Sequence, residues 1–593
     1  MAFDIPDSLL RVDLSAGRVE SVPVPAAWRR RYVGGKGLGA RYLYEELDAG
    51  TDPLGPANVL LFMLGPLSGL LPGETRYAAI TKSPLTGGFL DSYAGGEFPD
   101  RLAGALGDNM GLLVTGETED PVRVVVEDGD ASVEPAATWG ADTVDTAAAF
   151  PDAGVACIGP AGEAGVAYAT IASDAGEHHA GRGGAGAVMG AKGLKAVVAR
   201  GDPPAGLDDL HQQYAEAYRE SATGQWLQSS GTVETVDFAN EVGALSTRGW
   251  EGGQFEAADD VGIAAIRALA TGREYDGEGP RGFRVETDEG ETVPRGATAM
   301  SLGAGLGIEE FDAVAALGEA CNRFGLDLIS AGSAVAWAIK AGDRGRIDRS
   351  LAFGDADGAR TLLSAIATRE TELGDALADG VDVAAERFGG DDLVPTVKAM
   401  ELPAYDPRGA QSMALAYATS DRGACHRRAR PIEREVFEEW NRDQTVRAVV
   451  DEQNQRSVLW SLIVDDFVGD VFDDLGAEWL DAVGLETTGD LRTVGERIWT
   501  LTRLFNVREG FSRADDELPP ALRDPLPAGP NEGEAVDAER FDAMLDAYYD
   551  RRGWSRDGRP IRATVDRLDL SEAVDEETPV PETPRPDETT NDD

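Results

Sequence analysis

Lysine is scarce in this chain of 593 residues. Only Lys36, Lys82, Lys192, Lys195, Lys340 and Lys398 occur, so arginine carries most of the positive charge. Asp and Glu number 106 against 54 Lys and Arg, a formal charge of -52. A surface of that sign disfavours nucleic acid and anionic membranes as partners. Cysteine is nearly absent as well: Cys157, Cys321 and Cys425 lie far apart and give no disulfide framework. No run approaches the ~20 apolar residues of a membrane helix. Met1-Ala-Phe-Asp-Ile-Pro6 is short and acidic and does not read as a secretory leader. A cytoplasmic location is expected.

What is present excludes disorder. Hydrophobic residues make up 42% of the chain and fall in regular runs, so several packed domains are expected. The acidic excess then reads as the solvated coat of a halophilic protein, because at about 1 M salt the screening length falls to roughly 3 Å. Leu9–Leu14 and Arg18–Val24 alternate like two strands about Ser15-Ala-Gly17, and Val59–Leu64 reads as a buried strand. Val122–Val126 and Ala131–Pro135 suggest a hairpin around Asp128-Gly-Asp130. After Gly201-Asp-Pro-Pro204 the apolar period becomes helical.

The densest signal is Ala180-Gly-Arg-Gly-Gly-Ala-Gly-Ala-Val-Met-Gly190, where glycines crowd around Arg182 before a helical run. Such an entry offers bare amides to an anion, and Arg182 adds a fixed fork of donors. It fits neither the Rossmann nor the Walker pattern. A tight turn before a packed helix is the simpler reading of these glycines alone. The loop does not stand alone, however. It follows Val155-Ala-Cys-Ile-Gly-Pro-Ala-Gly-Glu163, and Arg76-Tyr-Ala-Ala-Ile-Thr-Lys-Ser-Pro-Leu-Thr-Gly-Gly88 precedes both. Further on come Asn240-Glu-Val-Gly-Ala-Leu-Ser-Thr-Arg-Gly-Trp250, Cys321-Asn-Arg-Phe-Gly-Leu-Asp327 and Arg422-Gly-Ala-Cys-His426, with Gly495–Gly510 near the end. Together these motifs resemble the aldehyde ferredoxin oxidoreductase family over most of residues 8 to 515.

The resemblance implies an α+β protein: a β-rich cofactor domain (1–204), two mainly helical domains (205–402 and 403–565), and an acidic disordered tail (566–593). It implies a tungsten or molybdenum bis-pterin centre with a bridging magnesium. The pterin contacts it suggests are Arg76, Tyr93, Gly95, Gly96, Arg182, Gly183, Gly184, Asn322, Gly325, Leu326, Asp327 and Asp465. The family usually carries an amide at the Tyr93 position and an aspartate at Asn322. Asp327 would equally serve as a helix cap. His426 is the candidate catalytic acid–base residue; a buried structural histidine is the other reading of the same position. His178, His179 and His211 read as structural, and Cys425 beside His426 gives little support for a Cys–His nucleophile.

Two departures stand out. The family's [4Fe-4S] cluster is held by three closely spaced cysteines and a fourth farther on. Here Arg267–Pro294 contains none, and Asp465 takes the fourth place, so the cluster is expected to be absent. Ala297 in Pro294-Arg-Gly-Ala-Thr298 replaces a glutamate that in the family lies beside the metal. The resemblance therefore implies oxidation of a small aldehyde to a carboxylate. Electrons would go to ferredoxin or another electron-transfer protein, and a homodimer is one assembly it allows. The alternative is a non-catalytic relative that acts as a pterin-binding, carrier or interaction protein.

Overall fold

The computed structural model describes residues 5–275 and 280–583. Its N-terminal part is built on two six-stranded sheets. In spatial order the first runs Arg18–Pro23, Ser8–Asp13, Asn109–Thr115, Leu60–Met63, Tyr77–Lys82 and Phe89–Ala94. The second runs His178–Ala180, Ile171–Ser173, Gly154–Cys157, Leu194–Arg200, Val122–Glu127 and Asp130–Pro135. Each sheet is antiparallel apart from one parallel pair, Ser8–Asp13 with Asn109–Thr115 in the first and Leu194–Arg200 with Val122–Glu127 in the second.

Alternation along Leu60–Met63 explains why this strand is apolar throughout. Leu60 and Phe62 point into the core shared with Val124, Val126 and Val197 of the second sheet. Leu61 and Met63 point the other way, into a core with Leu38, Leu462, Leu501 and Phe505. Both faces are covered, so no solvent-facing polar residue is called for. The helices over that second face are Gly35–Glu46, Arg442–Leu462 and Leu491–Arg508. A third core, formed by helices such as Phe311–Phe324, Leu328–Asp343, Ala356–Thr368, Gln411–Ala418 and Ala538–Arg552, holds the rest of the chain.

One expectation gains a detail and another needs correction. Residues 205–402, expected to be mainly helical, also carry a three-stranded antiparallel sheet of Ala270–Tyr275, Pro280–Thr287 and Gly290–Thr292. The segment is polar and arginine-rich, so period-2 patterning is weak, and pairing rather than propensity sets its form. The tail expected to be disordered from residue 566 is packed as far as 583. Leu568 and Leu570 are fully buried, and Asp575 pairs with Arg508 at 2.9 Å. A few apolar anchors outweigh the acidic composition around them. Residues 584–593 of that expected tail lie outside the described residues.

The scarce lysines are not surface groups. Lys36 meets Asp91 and Asp421, Lys82 meets Glu509, Lys195 meets Glu163, and Lys398 meets Asp516. Lys192 and Lys340 donate to backbone carbonyls. The pairing of Lys36 spans the molecule: its ammonium lies 3.0 Å from Asp91 and 2.5 Å from Asp421, and Arg428 bridges the same two carboxylates. All four side chains are buried. Breaking such a cluster leaves an uncompensated charge, at a cost of about 3–5 kcal/mol. Lys36→Met is therefore expected to lower stability by about that amount, read as a lower urea midpoint with little dependence on added salt.

Candidate active site

A cavity of about 990 Å³ opens between the β-rich part and the helices. Its inner wall is polar. Arg76, Tyr93, Gly95, Arg182, Asn322 and Asp327 all line it, as do Leu326 and His426. These eight expected site residues, remote in sequence, converge on one space.

Arg182 has φ +71°, and Gly183 and Gly184 follow at +78° and +87°. A Cβ on Gly184 would lie 2.1 Å from the Ala167 carbonyl oxygen, so the turn into helix Ala185–Ala191 can only be glycine. That turn directs the Arg182 guanidinium inward. There Nη1 donates to Ala424 O at 2.8 Å, Nη2 donates to Glu401 O, and Nε stands 3.5 Å from Asp327. Asp327 is also the N-cap of helix Leu328–Asp343 and accepts from Ser330 N at 3.1 Å. Cap and cavity residue are thus one and the same. The Tyr93 hydroxyl donates to Asp91 Oδ2 at 2.6 Å, while its ring lies against Trp460.

The remaining expected residues stand behind the wall. Gly183 and Gly184 shape the turn, and Gly325 closes helix Phe311–Phe324 with φ +71°. Gly96 caps helix Glu97–Ala105 against Asp174, leaving no room for a side chain. Asp465 is buried, 2.8 Å from Arg281 Nη1 and 3.7 Å from Arg76.

His426 is a cavity residue on the loop after helix Gln411–Ala418. Burial and the cations Arg430, Arg427, Arg182 and Arg422 hold its pKa well below that of a free imidazole. It is neutral near pH 7, and its Nδ1 is buried with no protein partner. A neutral imidazole on a cavity wall can take up a proton. Cys425 next to it does not line the cavity. Burial raises its thiol, but Arg422, Arg428 and Arg182 outweigh this and bring it to about 7.

Composition gave no sign of the role of His178. It is not a loop residue of the polar surface but a cavity residue between two carboxylates: Nδ1 is 3.0 Å from Glu74 and Nε2 is 3.3 Å from Glu274. Glu274 in turn pairs with Arg295 at 2.8 Å, and Glu74 with Arg76 at 2.7 Å. Burial lowers the His178 pKa, but the two glutamates overcome it and raise it to about 10. These partners come from separate segments, so no spacing pattern could reveal them. His179 is opposite in behaviour: burial takes it down to about 4, and Thr170 and Gly176 O satisfy its nitrogens.

Two buried donors on the cavity wall, Nε of Arg76 and Arg422, have no hydrogen-bond acceptor in the protein. Together with the Asn322 amide they suit a large ligand rich in acceptors. The residues do not suit an iron–sulfur cluster. None of the three free cysteines lines the cavity, and among the described residues no group of three or more His, Cys, Asp or Glu could hold a metal ion. Ala297, where a glutamate was expected from the resemblance, lies on the wall.

Residues 9–201 match the N-terminal domain of aldehyde ferredoxin oxidoreductase, and residues 209–570 match its domains 2 and 3. The chain belongs to the aldehyde ferredoxin oxidoreductase family. It is similar to the tungsten-containing aldehyde ferredoxin oxidoreductase of Pyrococcus abyssi, with 33% identity covering 95% of this chain and 99% of that one. The Thermococcus kodakarensis enzyme of the same description is 34% identical over 95% of this chain and 98% of its own. The WOR-like subunit of an aliphatic sulfonate oxidoreductase from Pyrococcus furiosus is 25% identical, covering 95% of this chain and 97% of that one. Among solved structures, the active-site complex BamBC of benzoyl coenzyme A reductase shares the fold, with a TM-score of 0.80 and 23% identity over 97% of this chain and 98% of that one. This chain is an oxidoreductase with an α+β fold. Among the described residues no helix is long and apolar enough to cross a membrane.

The His178 pKa, raised above its unfolded value near 6.5, gives a signed expectation. The stability it contributes is fully present below about pH 6.5 and is lost as pH rises through about 10. Denaturation midpoints should fall across that window in the native protein, and the fall should be much reduced in His178→Gln.

Proposed function

We propose that this oxidoreductase converts an aldehyde to a carboxylate at a tungsten or molybdenum bis-pterin centre held in the cavity. The observation that carries the reading is the convergence of Arg76, Arg182, Asn322 and Asp327 on the space that also contains neutral His426. The pterins would be held by these residues together with the Gly95 backbone and Tyr93, with the magnesium that the resemblance implies. When bound, the centre supplies the two-electron redox chemistry.

The chain's own residues supply the rest. Aldehyde and water give a carboxylic acid, two protons and two electrons. His426, neutral because burial and four arginines lower its pKa, accepts a proton as water adds to the carbonyl. With Ala297 in place of a carboxylate, His426 carries this role without a second acid beside it. The electrons pass to ferredoxin or another external carrier. The cluster is absent from the proposed route, because the nearest candidate ligand, Asp465, is committed to Arg281. A carrier protein without catalysis would not need a cavity base held neutral; that requirement favours the enzyme reading. Function in concentrated salt and a cytoplasmic location complete the proposal.

Anaerobically purified protein is expected to contain about one tungsten or molybdenum per chain, with pterin and almost no iron, and to oxidise benzaldehyde with a dye acceptor. Metal-free and pterin-free protein would sink the proposal. His426→Gln should keep metal and pterin while losing about 10²-fold or more in kcat.

A further inference from the structure

The cavity changes character from its floor to its mouth. Lining residues that are exposed mark the mouth: Glu241, Glu433, Phe437 and Asp470. Phe437 is 74% exposed, yet its ring stands 6.3 Å from that of Phe238, which also lines the cavity. Opposite them Trp226 and Phe467 pair at 6.1 Å. The outer half is therefore an aromatic passage with a carboxylate rim.

The cations along the way are already engaged. Arg427 donates to Asp466 at 2.7 Å, Arg295 pairs with Glu274, and Arg430 stands 3.4 Å from Glu433. A carboxylate or phosphate group on a substrate would have to pass the acidic rim and shed its water beside cations that already face Asp466, Glu274 and Glu433. That desolvation is costly. A ring without charge loses nothing comparable and gains contact with four aromatic side chains.

We propose that the cavity selects uncharged, ring-bearing aldehydes and rejects phosphorylated or carboxylated ones. The inference rests on the aldehyde oxidation proposed above and adds its substrate class. The same rim repels the carboxylate product, so the charge that filters entry also assists release.

The test compares kcat/KM for benzaldehyde, 4-carboxybenzaldehyde and glyceraldehyde 3-phosphate, using metal-loaded protein and one dye acceptor. Benzaldehyde should be favoured by at least about tenfold, equivalent to 1.4 kcal/mol. Glu433→Gln removes one rim charge and frees Arg430, and should narrow the ratio against 4-carboxybenzaldehyde several-fold. Glu433 is exposed, and the substitution leaves the core untouched. Equal or better turnover of the two anions in the native protein would overturn the inference while leaving aldehyde oxidation standing. Protein that carries metal and pterin but oxidises none of the three would overturn the aldehyde-oxidation reading itself.

Discussion

Asp91 is the group on which the arrangement of the site depends. It sits in the edge strand Phe89–Ala94, fully buried, and collects partners from two distant parts of the chain as well as from its own strand. Its carboxylate takes Lys36, Arg428 and the Tyr93 hydroxyl, while its backbone carbonyl accepts from Arg422 and Arg428. Arg422 and Arg428 flank His426 on both sides. The base is thus located by charge pairing to a β-strand rather than by its own contacts. Asn506 adds a neutral tie, donating to Asp421 O and accepting from Phe89 N at 2.7 Å each. Buried pairs of this kind gain little net stability over an apolar core, but a single removal is severe. They specify one register between sheet and helices.

That internal economy explains the lysine pattern. A chain at -52 repels itself, and its surface cations would be arginines or nothing. Lysine persists only where a compact ammonium meets two or three oxygens in the interior, as Lys195 meets Ala141 O, Ile158 O and Glu163. Arginine takes the places where a flat fork must reach several acceptors, as Arg182 does across Ala424, Glu401 and Asp327. The two cations divide the work by geometry.

Much of the fold and part of the site could be read from the residues. The Arg182 loop was legible because only glycine tolerates its backbone. Asp327 was legible as a cap, which it is, and it also lines the cavity. The strands Ser8–Asp13, Arg18–Pro23 and Leu60–Met63 were legible through alternation or continuous apolarity. The small sheet between Ala270 and Thr292 was not, since its residues are paired across strands and not patterned along them. The packed segment 568–583 was hidden by its composition. His178 was read only as structural, because its partners Glu74 and Glu274 are brought to it by the folded chain alone.

Asp465 shows how surroundings decide what a carboxylate can do. A carboxylate at a thiolate's expected position could be taken as a substitute ligand. Its surroundings argue otherwise: its oxygens face Arg281 and Arg76, and its second oxygen accepts from Phe467 N at 2.8 Å. With those contacts made, its capacity is spent on compensating two guanidinium groups. Arg281 comes from the same small sheet that carries Glu274, so the charges Glu74, Arg76, His178, Glu274, Arg281, Arg295 and Asp465 form one connected wall. With His178 protonated that wall holds four cations against three anions. The surplus faces a cavity whose unpartnered donors call for an anionic, acceptor-rich ligand. That surplus apart, the carboxylates and guanidinium groups of this wall compensate one another.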